Sequence, residues 1–404
     1  MFFKLLKDAL KVKNVRNKIL FTIFIIFVFR VGTHVTVPGI NAESLKQLSD
    51  LPFLNMLNLV SGNAMNNFSI FSMGVSPYIT ASIIVQLLQM DIYPKFVEWG
   101  KQGEVGRRKL NQATRYITLV LAFVQSIGIT ASFNTLSSIS LVKTPNVSTY
   151  LLIGTILTAG SIIVTWLGEQ ITDKGFGNGV SMIIFSGIIA SIPKMFSTIY
   201  EDFFVNVRSG ELTRSYIIVA LLIVVGLAIV FFTTFVQQAE YQIPIQYTKL
   251  VQGAPTSSYL PLKVNPAGVI PVIFASSITP IPSTILPFFS KVTWLSHLQG
   301  LLSYNTPSGM ITYAILIILF SFFYTFVQVN PEKTAENLQK NGSYIPSVRP
   351  GRETEKYMSS LLKRLATIGA VFLAFISLAP IAAQQFMHLT SVGRFHFTLV
   401  VHLS

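Results

Sequence analysis

The chain has 404 residues, of which 51% are apolar and only 11% charged. Soluble domains carry about 25% charged residues. A soluble globular fold and a disordered chain are therefore both excluded, and a polytopic membrane protein remains. With 30 Lys and Arg against 16 Asp and Glu the formal net charge is +14, and the absence of Cys removes disulfides and thiolate metal sites.

The N-terminus carries Lys4, Lys7, Lys11, Lys13, Arg16 and Lys18 over a long amphipathic stretch. No small-residue cleavage site follows the first apolar run, so this is not a cleavable signal peptide. A crossing helix needs about 20 apolar residues. Nine candidate spans follow in order, near 19–36, 69–90, 113–134, 150–169, 179–198, 215–236, 264–288, 309–329 and 365–386. They are continuous runs, not short alternating ones, which makes a β-barrel the weaker alternative.

Between the first two spans lies Leu51–Asn67, too short and too polar to cross. It either rests at the interface or folds back into a cavity of the bundle. The second span reads Gly74-Val75-Ser76-Pro77-Tyr78-Ile79-Thr80 and continues to Gln86. The seventh opens Asn265-Pro266-Ala267-Gly268-Val269-Ile270-Pro271. Each combines Pro, small residues and a buried amide with an Ile/Val run, and they occupy corresponding places in a five-plus-five arrangement. Paired interrupted segments point to an inverted repeat with a central pathway, although small-residue helix packing accounts for the same pattern.

Gly175-Phe176-Gly177-Asn178-Gly179 lacks the Lys-Ser/Thr of a phosphate loop and reads as a tight turn between the fourth and fifth spans. No catalytic motif is present, and the five His form no i, i+4 metal pair. No enzyme, cofactor or metal site is expected. The middles of the spans lack Asp, Glu, Lys, Arg and His, which weighs against a proton-coupled carrier.

With the N-terminus placed in the cytoplasm, the segments 1–18, 91–115, 170–178, 237–263 and 328–364 hold 22 of the 30 Lys and Arg. Arg30, Lys46, Lys143, Lys194, Arg208, Arg214, Lys291 and Arg394 fall on the other side. This asymmetry supports a cytoplasmic N-terminus. Two loops stand out: Tyr93–Arg115, with Lys95, Lys101, Arg107, Arg108 and Lys109, and Val329–Arg364. Exposed basic loops suit anionic lipid, ribosomal RNA or an acidic protein partner.

Several blocks together resemble the SecY family of bacterial protein-conducting channels, above all its lactic-acid-bacterial members. They are Pro77–Leu88, Lys101-Gln102-Gly103-Glu104-Val105-Gly106-Arg107-Arg108-Lys109, Trp166-Leu167-Gly168-Glu169-Gln170-Ile171-Thr172, Gly177-Asn178-Gly179, Leu260–Phe274 and Arg349-Pro350-Gly351. The resemblance runs over roughly residues 1–386. It implies an all-α polytopic membrane protein of two inverted five-helix halves, 1–200 and 201–404, around a central pore in the bacterial cytoplasmic membrane. Unfolded secretory polypeptide would cross through this pore, and apolar segments would leave it sideways into lipid.

By motif position the resemblance implies an aliphatic pore ring of Ile79, Ile83, Val180, Ile184 and Ile273. It implies lateral-gate amides at Gln86 and Asn265, and a plug over 51–67 bearing Phe53, Leu54, Leu57 and Val60. Arg349, Arg352, Lys356 and Lys249 would dock the ribosome or the motor ATPase SecA. Small SecE- and SecG-like subunits, signal-bearing preproteins and the lipid bilayer complete the implied partners. The family's Arg-Arg pair is replaced here by Ala239-Glu240-Tyr241-Gln242, which shifts weight to Arg349, Arg352 and Lys356.

The tail departs from the family pattern. The stretch 387–404 contains His388-Leu389-Thr390-Ser391-Val392-Gly393-Arg394-Phe395-His396-Phe397 instead of a tenth span, and Phe395–Ser404 covers about half a crossing. The tenth helix is therefore expected to be incomplete. A small-solute carrier with inverted repeats, and a non-conducting truncated form, are the alternative functions.

Overall fold

The computed structural model describes residues 11–41, 61–62, 64–136, 142–205, 212–247, 257–279 and 306–387. The expected plug side chains Phe53, Leu54, Leu57 and Val60, the docking residue Lys249 and the tail from His388 lie outside them. The chain divides into two compact units, Met1–Ser197 with Ser277–Gln299, and Thr198–Ser276 with Gly300–Ser404.

The first unit is helical. Helix α1 (Lys13–Gly32) buries Thr22, Ile25, Phe29 and Gly32, a three-and-four spacing that defines one stripe. Helix α2 (Ser76–Leu87) is shorter than the span expected near 69–90. The positive φ of Gly74 (52°) and Pro77 in the first turn delay its start, and a π-helical segment, Leu88–Ile92, follows it. Helices α3 (Pro94–Lys101) and α4 (Gly103–Leu136) meet at Gly103, whose φ of +65° breaks the helical path. The basic loop expected at 93–115 is thus largely helix, because Glu104–Arg108 and its neighbours are good helix formers even where they are too polar to cross.

Helices α5 (Val147–Lys174) and α6 (Gly179–Tyr200) complete this unit's main bundle, and α6 continues into a π segment, Glu201–Val205, that belongs to the second unit. Helix α4 packs on α2 and α5, and α1 on α5. The turn between α5 and α6 is the tight one expected. Gly177 adopts φ +75°, and the Asn178 carboxamide oxygen accepts from the Val180 and Ser181 amides, capping α6. A Cβ on Gly179 would lie 1.8 Å from the Gly168 carbonyl, so this helix junction requires glycine.

The second unit contains α7 (Leu212–Gln238), α8 (Ile270–Ile278, most of it in this unit), α9 (Pro307–Gln328), α10 (Pro331–Lys340) and α11 (Arg352–Met387). It also holds the described residues' one sheet, built from β1 (Glu240–Tyr247), β2 (Ser257–Lys263) and β3 (Ser343–Tyr344) in the order β2-β1-β3. The hairpin is antiparallel, with Ile243 opposite Leu260 and Ile245 opposite Ser258. Both stretches were expected to be plain loops. Strand β1 instead alternates, with Ile243 and Ile245 buried between the exposed Gln242, Pro244 and Gln246, which is the period of a half-buried strand.

Five stretches among the described residues are long and apolar enough to cross a membrane. They are Gly103–Ala131, Val147–Lys174, Ser215–Gln238, Pro307–Lys340 and Arg352–Ala379. Ser76–Leu87 and Gly179–Pro193 are shorter apolar helices. Many large side chains on α1, α4, α7, α9 and α11 are exposed, including Phe24, Phe27, Leu227, Phe231, Leu319 and Phe375. Such apolar surface on a chain of this composition faces lipid.

Candidate functional site

Non-helical backbone in the first unit is the least expected feature. After Ser61 and Gly62, a 3₁₀ turn at Ala64–Asn67 leads through a series of turns to α2. Met65, Phe68, Phe71, Met73 and Val75 along it are all at most 4% exposed. Backbone at this depth must have its polar groups satisfied by protein. Several are: Val37 N donates to Phe68 O (3.1 Å), Ile70 N to Val35 O (2.9 Å), Ser72 Oγ to Ser69 O (2.6 Å) and Ser161 Oγ to Gly74 O (3.0 Å).

Three helices approach this segment through glycine. A Cβ on Gly32 of α1 would fall 1.9 Å from the Phe71 ring. One on Gly160 of α5 would fall 1.8 Å from Ile70 O, and one on Gly187 of α6 would fall 2.4 Å from the Gly62 Cα. Small residues allow this backbone-to-backbone contact, as in close-packed membrane helices. Phe29 and Phe71 stack across it with ring centroids 5.8 Å apart. The charge count places Arg30 on the outer side of the membrane. It lies in the last turn of α1, half-buried, and donates to three backbone carbonyls: Gly62 (2.8 Å), Ser186 (2.6 Å) and Gly187 (3.1 Å).

The expected ring residues fall on short apolar helices. Ile79 and Ile83 are one turn apart on α2 and share a face, exposed by 7% and 1%. Val180 and Ile184 are likewise one turn apart on α6 and half-buried, while Ile183 between them is buried, and both Val180 and Ile183 pack against Gly168 of α5. In the second unit, Val272 and Phe274 of α8 are buried, with Phe274 edge-on to Phe320 and Tyr324 of α9 (5.9 Å each). Ile273 alternates with them and stays half-buried.

Each expected gate amide uses its donor locally. Gln86 Nε2 donates to Ser82 Oγ (3.2 Å) one turn back on α2. Asn265 Nδ2 donates to Gly268 O (3.1 Å), closing the turn before α8, where Gly268 has φ +61°. The helix therefore begins at Ile270, later than the span expected from 264. Asn265 is 2% exposed and packs against Gly369 of α11. The acceptor oxygens Gln86 Oε1 and Asn265 Oδ1 are buried and have no partner among the described residues.

The expected docking loops form one platform. The hairpin, α10, β3 and the first turns of α11 enclose a core of Ile243, Ile245, Leu262, Leu338, Ile345, Met358, Leu362 and Leu365. Asn330 caps α10 by accepting from Lys333 N (3.1 Å), and Thr354 Oγ1 donates to the Arg349 carbonyl (2.9 Å), fixing the turn into α11. Arg349 and Arg352 are exposed. Lys356 is exposed too, but pairs with Glu353 at 3.1 Å. In the first unit, Arg115 makes a bidentate pair with Glu169 (3.0 and 2.5 Å), tying α4 to α5 at the resemblance's Trp166–Thr172 block.

The sheet and Arg30 were not foreseen. The β1 alternation was readable, and the glycine cradle had a signal in the small residues Gly154, Gly160 and Ser161 on one helix. Nothing local marks Arg30, whose partners lie 32, 156 and 157 residues away.

Comparison with known proteins gives the family and the fold. The SecY family model matches residues 69–402. The protein translocase subunit SecY of Streptococcus gordonii is 71% identical over 96% of this chain and 90% of its own length. That of Lactococcus lactis subsp. lactis is 68% identical over 95% of this chain and 89% of its own. Among solved structures, one described as a protein-conducting channel matches with a TM-score of 0.66 at 16% identity, covering 97% of this chain and 90% of that one. A second, of a SecY whose plug domain stabilises the closed channel and maintains a membrane seal, gives 0.63 at 15% identity over 97% and 91%. Sec61 in the canine ribosome-channel complex from the endoplasmic reticulum gives 0.60 at 14% identity over 97% and 91%. The chain has the fold of these channels and is not an enzyme. On the family match and the shared identity it belongs to the SecY family of protein translocase subunits.

Proposed function

We propose that this translocase subunit is the conduit itself, passing unfolded polypeptide between inverted halves at 1–200 and 201–404. Ile79, Ile83, Val180, Ile184 and Ile273 would form its neck. The observation that carries this reading is chemical. Ser76–Leu87, Gly179–Pro193 and Ile270–Ile278 place these side chains on helical stretches without Asp, Glu, Lys, Arg or His, and Lys194 of α6 lies more than two turns beyond Ile184. A narrow aliphatic neck dewets, which bars hydrated ions without a charged gate, and it offers no fixed partner that would favour one passing sequence.

Lateral release follows from partitioning. Each central Leu, Ile or Phe of a passing segment favours the bilayer by about 0.3–0.6 kcal/mol, against a cost of roughly 2.5–3.5 for a charged residue. The orphan acceptors of Gln86 and Asn265 suit a gate held by weak polar contacts, about 0.6–2 kcal/mol for such a pair. Residues 51–67 would plug the resting pore, by analogy with the SecY whose plug maintains a membrane seal.

The basic bias of 22 in 30 supports a cytoplasmic N-terminus, and the bacterial relatives support the cytoplasmic membrane. On that side Arg349 and Arg352 are suited to ribosomal RNA phosphates or acidic patches of a SecA-like motor, and SecE- and SecG-like subunits would complete the complex. The carrier alternative is not favoured, since the relatives are translocase subunits. The test is uptake of a signal-bearing preprotein into vesicles holding the full chain, its small partners and the motor. ATP-dependent protease protection supports the reading. Transport of a small solute without the motor, and no preprotein uptake, refutes it.

A further inference from the structure

Arg30 carries the inference. A guanidinium in the last turn of a membrane helix can reach the aqueous interface by extending its side chain. Arg30 instead turns to protein, and among the described residues no carboxylate pairs with it. Its Nη1 donates to Gly62 O, and its Nη2 donates to both Ser186 O and Gly187 O. One planar fork thus joins α1, α6 and the start of the buried turn segment, an arrangement that a single-point ammonium cannot reproduce.

The crossing it fastens is built for contact. Gly62 has φ +67°, and side chains on either Gly62 or Gly187 would collide, at 3.1 Å and 2.4 Å from the opposing Cα. Phe29, adjacent to Arg30, lies 3.1 Å from the position of a Gly62 Cβ and is itself fully buried. Downstream, Phe68 holds a positive φ of 41°, a costly conformation for an aromatic residue that only surrounding restraint sustains. Next to the crossing, Ser61 is 1% exposed and its hydroxyl is buried without a partner among the described residues.

We propose that Arg30 is a positioning residue that latches the segment beginning at Ser61-Gly62 onto α6 in the resting channel, through the three carbonyls of Gly62, Ser186 and Gly187. The proposal rests on the channel reading for its consequence, because this segment is the end of the 51–67 stretch assigned as plug. All three contacts are side chain to backbone, so the latch reads no passing sequence. Its release needs only that the fork give up these three carbonyls, and no group has to titrate.

The absence of Cys gives a direct test. Ser61→Cys introduces the chain's single thiol at the latch, in the full chain reconstituted with its partners. Its reaction with a membrane-impermeant maleimide is measured with Arg30 present, with Arg30→Gln and with Arg30→Lys. Under rapid opening and closing, the labelling rate reports the open population. Arg30→Gln is expected to raise it about tenfold or more, a shift of about 1.4 kcal/mol or more in the latch equilibrium. Arg30→Lys is expected to fall in between, and it decides the matter where Arg30→Gln does not yield folded protein.

Leu110→Ala, a core truncation elsewhere in the first unit, is the control for general loosening and is expected to leave labelling unchanged. Equal rates with and without Arg30, or an equal rise with Leu110→Ala, overturn the latch. Preprotein uptake measured on the same vesicles separates the two claims: its absence with Arg30 present counts against the channel reading, while the labelling ratio still decides the latch.

Discussion

Gly160→Ala tests the cradle that holds the turn segment in the first unit. The new methyl would sit 1.8 Å from Ile70 O and 2.7 Å from its carbon, so backbone must retreat about 1.2 Å merely to reach 3.0 Å. The obstacle is the Ile70 carbonyl, whose segment is tethered by Ile70 N on Val35 O at 2.9 Å and, four residues on, by Ser161 Oγ on Gly74 O at 3.0 Å. Losing both hydrogen bonds costs about 1 kcal/mol each, and overpacking adds about 1–3. Better helix propensity returns up to about 1, leaving a net loss of about 2–4 kcal/mol. Gly154→Ala on the same helix is the comparison, since its methyl meets side chains and no backbone, the movable Ile127 at 2.8 Å and Ser126 Oγ at 3.5 Å. Equilibrium unfolding in mixed micelles ranks them. Gly160→Ala should be clearly less stable than the parent and Gly154→Ala within about 1 kcal/mol of it. Equal destabilisation of the two would refute the claim that backbone contact at Gly160 seats the segment.

Asn178→Ala removes the α6 cap and is expected to cost about 0.5–2 kcal/mol in the same unfolding assay, with Asn178→Asp close to neutral. Glu169→Gln weakens the Arg115 pair. Because that pair is only partly shielded, the loss should stay under about 1 kcal/mol and shrink further in high salt. Met358→Ala, at a fully buried platform position, should cost about 2–5 kcal/mol and loosen the platform, detected as faster proteolysis within 240–365. Arg349→Ala with Arg352→Ala should weaken ribosome binding and flatten its salt dependence by about two phosphate contacts. Lys356→Ala should do much less, since Glu353 already holds that ammonium.

The helical, membrane-spanning character was legible in the apolar runs, because a crossing helix needs length and apolarity and both are local. Boundaries were less so: α4 and α11 start about ten residues before their apolar runs, since helix continues through polar residues with good propensity. The hairpin was readable in the alternation of Ile243 and Ile245 but was masked by its place between spans. The late start of α8 has a local signal in Gly268, but the sequence does not show that Gly268 closes a turn at φ +61°. The Arg30 contacts were not legible, because their partners are backbone carbonyls, and a carbonyl looks the same at every residue. The glycine cradle falls between: Gly160 is visible, but what it lets in is not.

The most direct measurement places single thiols at Ile79, Ile83, Val180, Ile184 and Ile273, one at a time in this Cys-free chain, and arrests a preprotein bearing one Cys part-way through. Disulfide adducts are predicted at these five positions and not at the exposed Phe231 of α7. Adducts absent from all five, or equally strong at Phe231, would contradict an aliphatic neck through which the polypeptide passes.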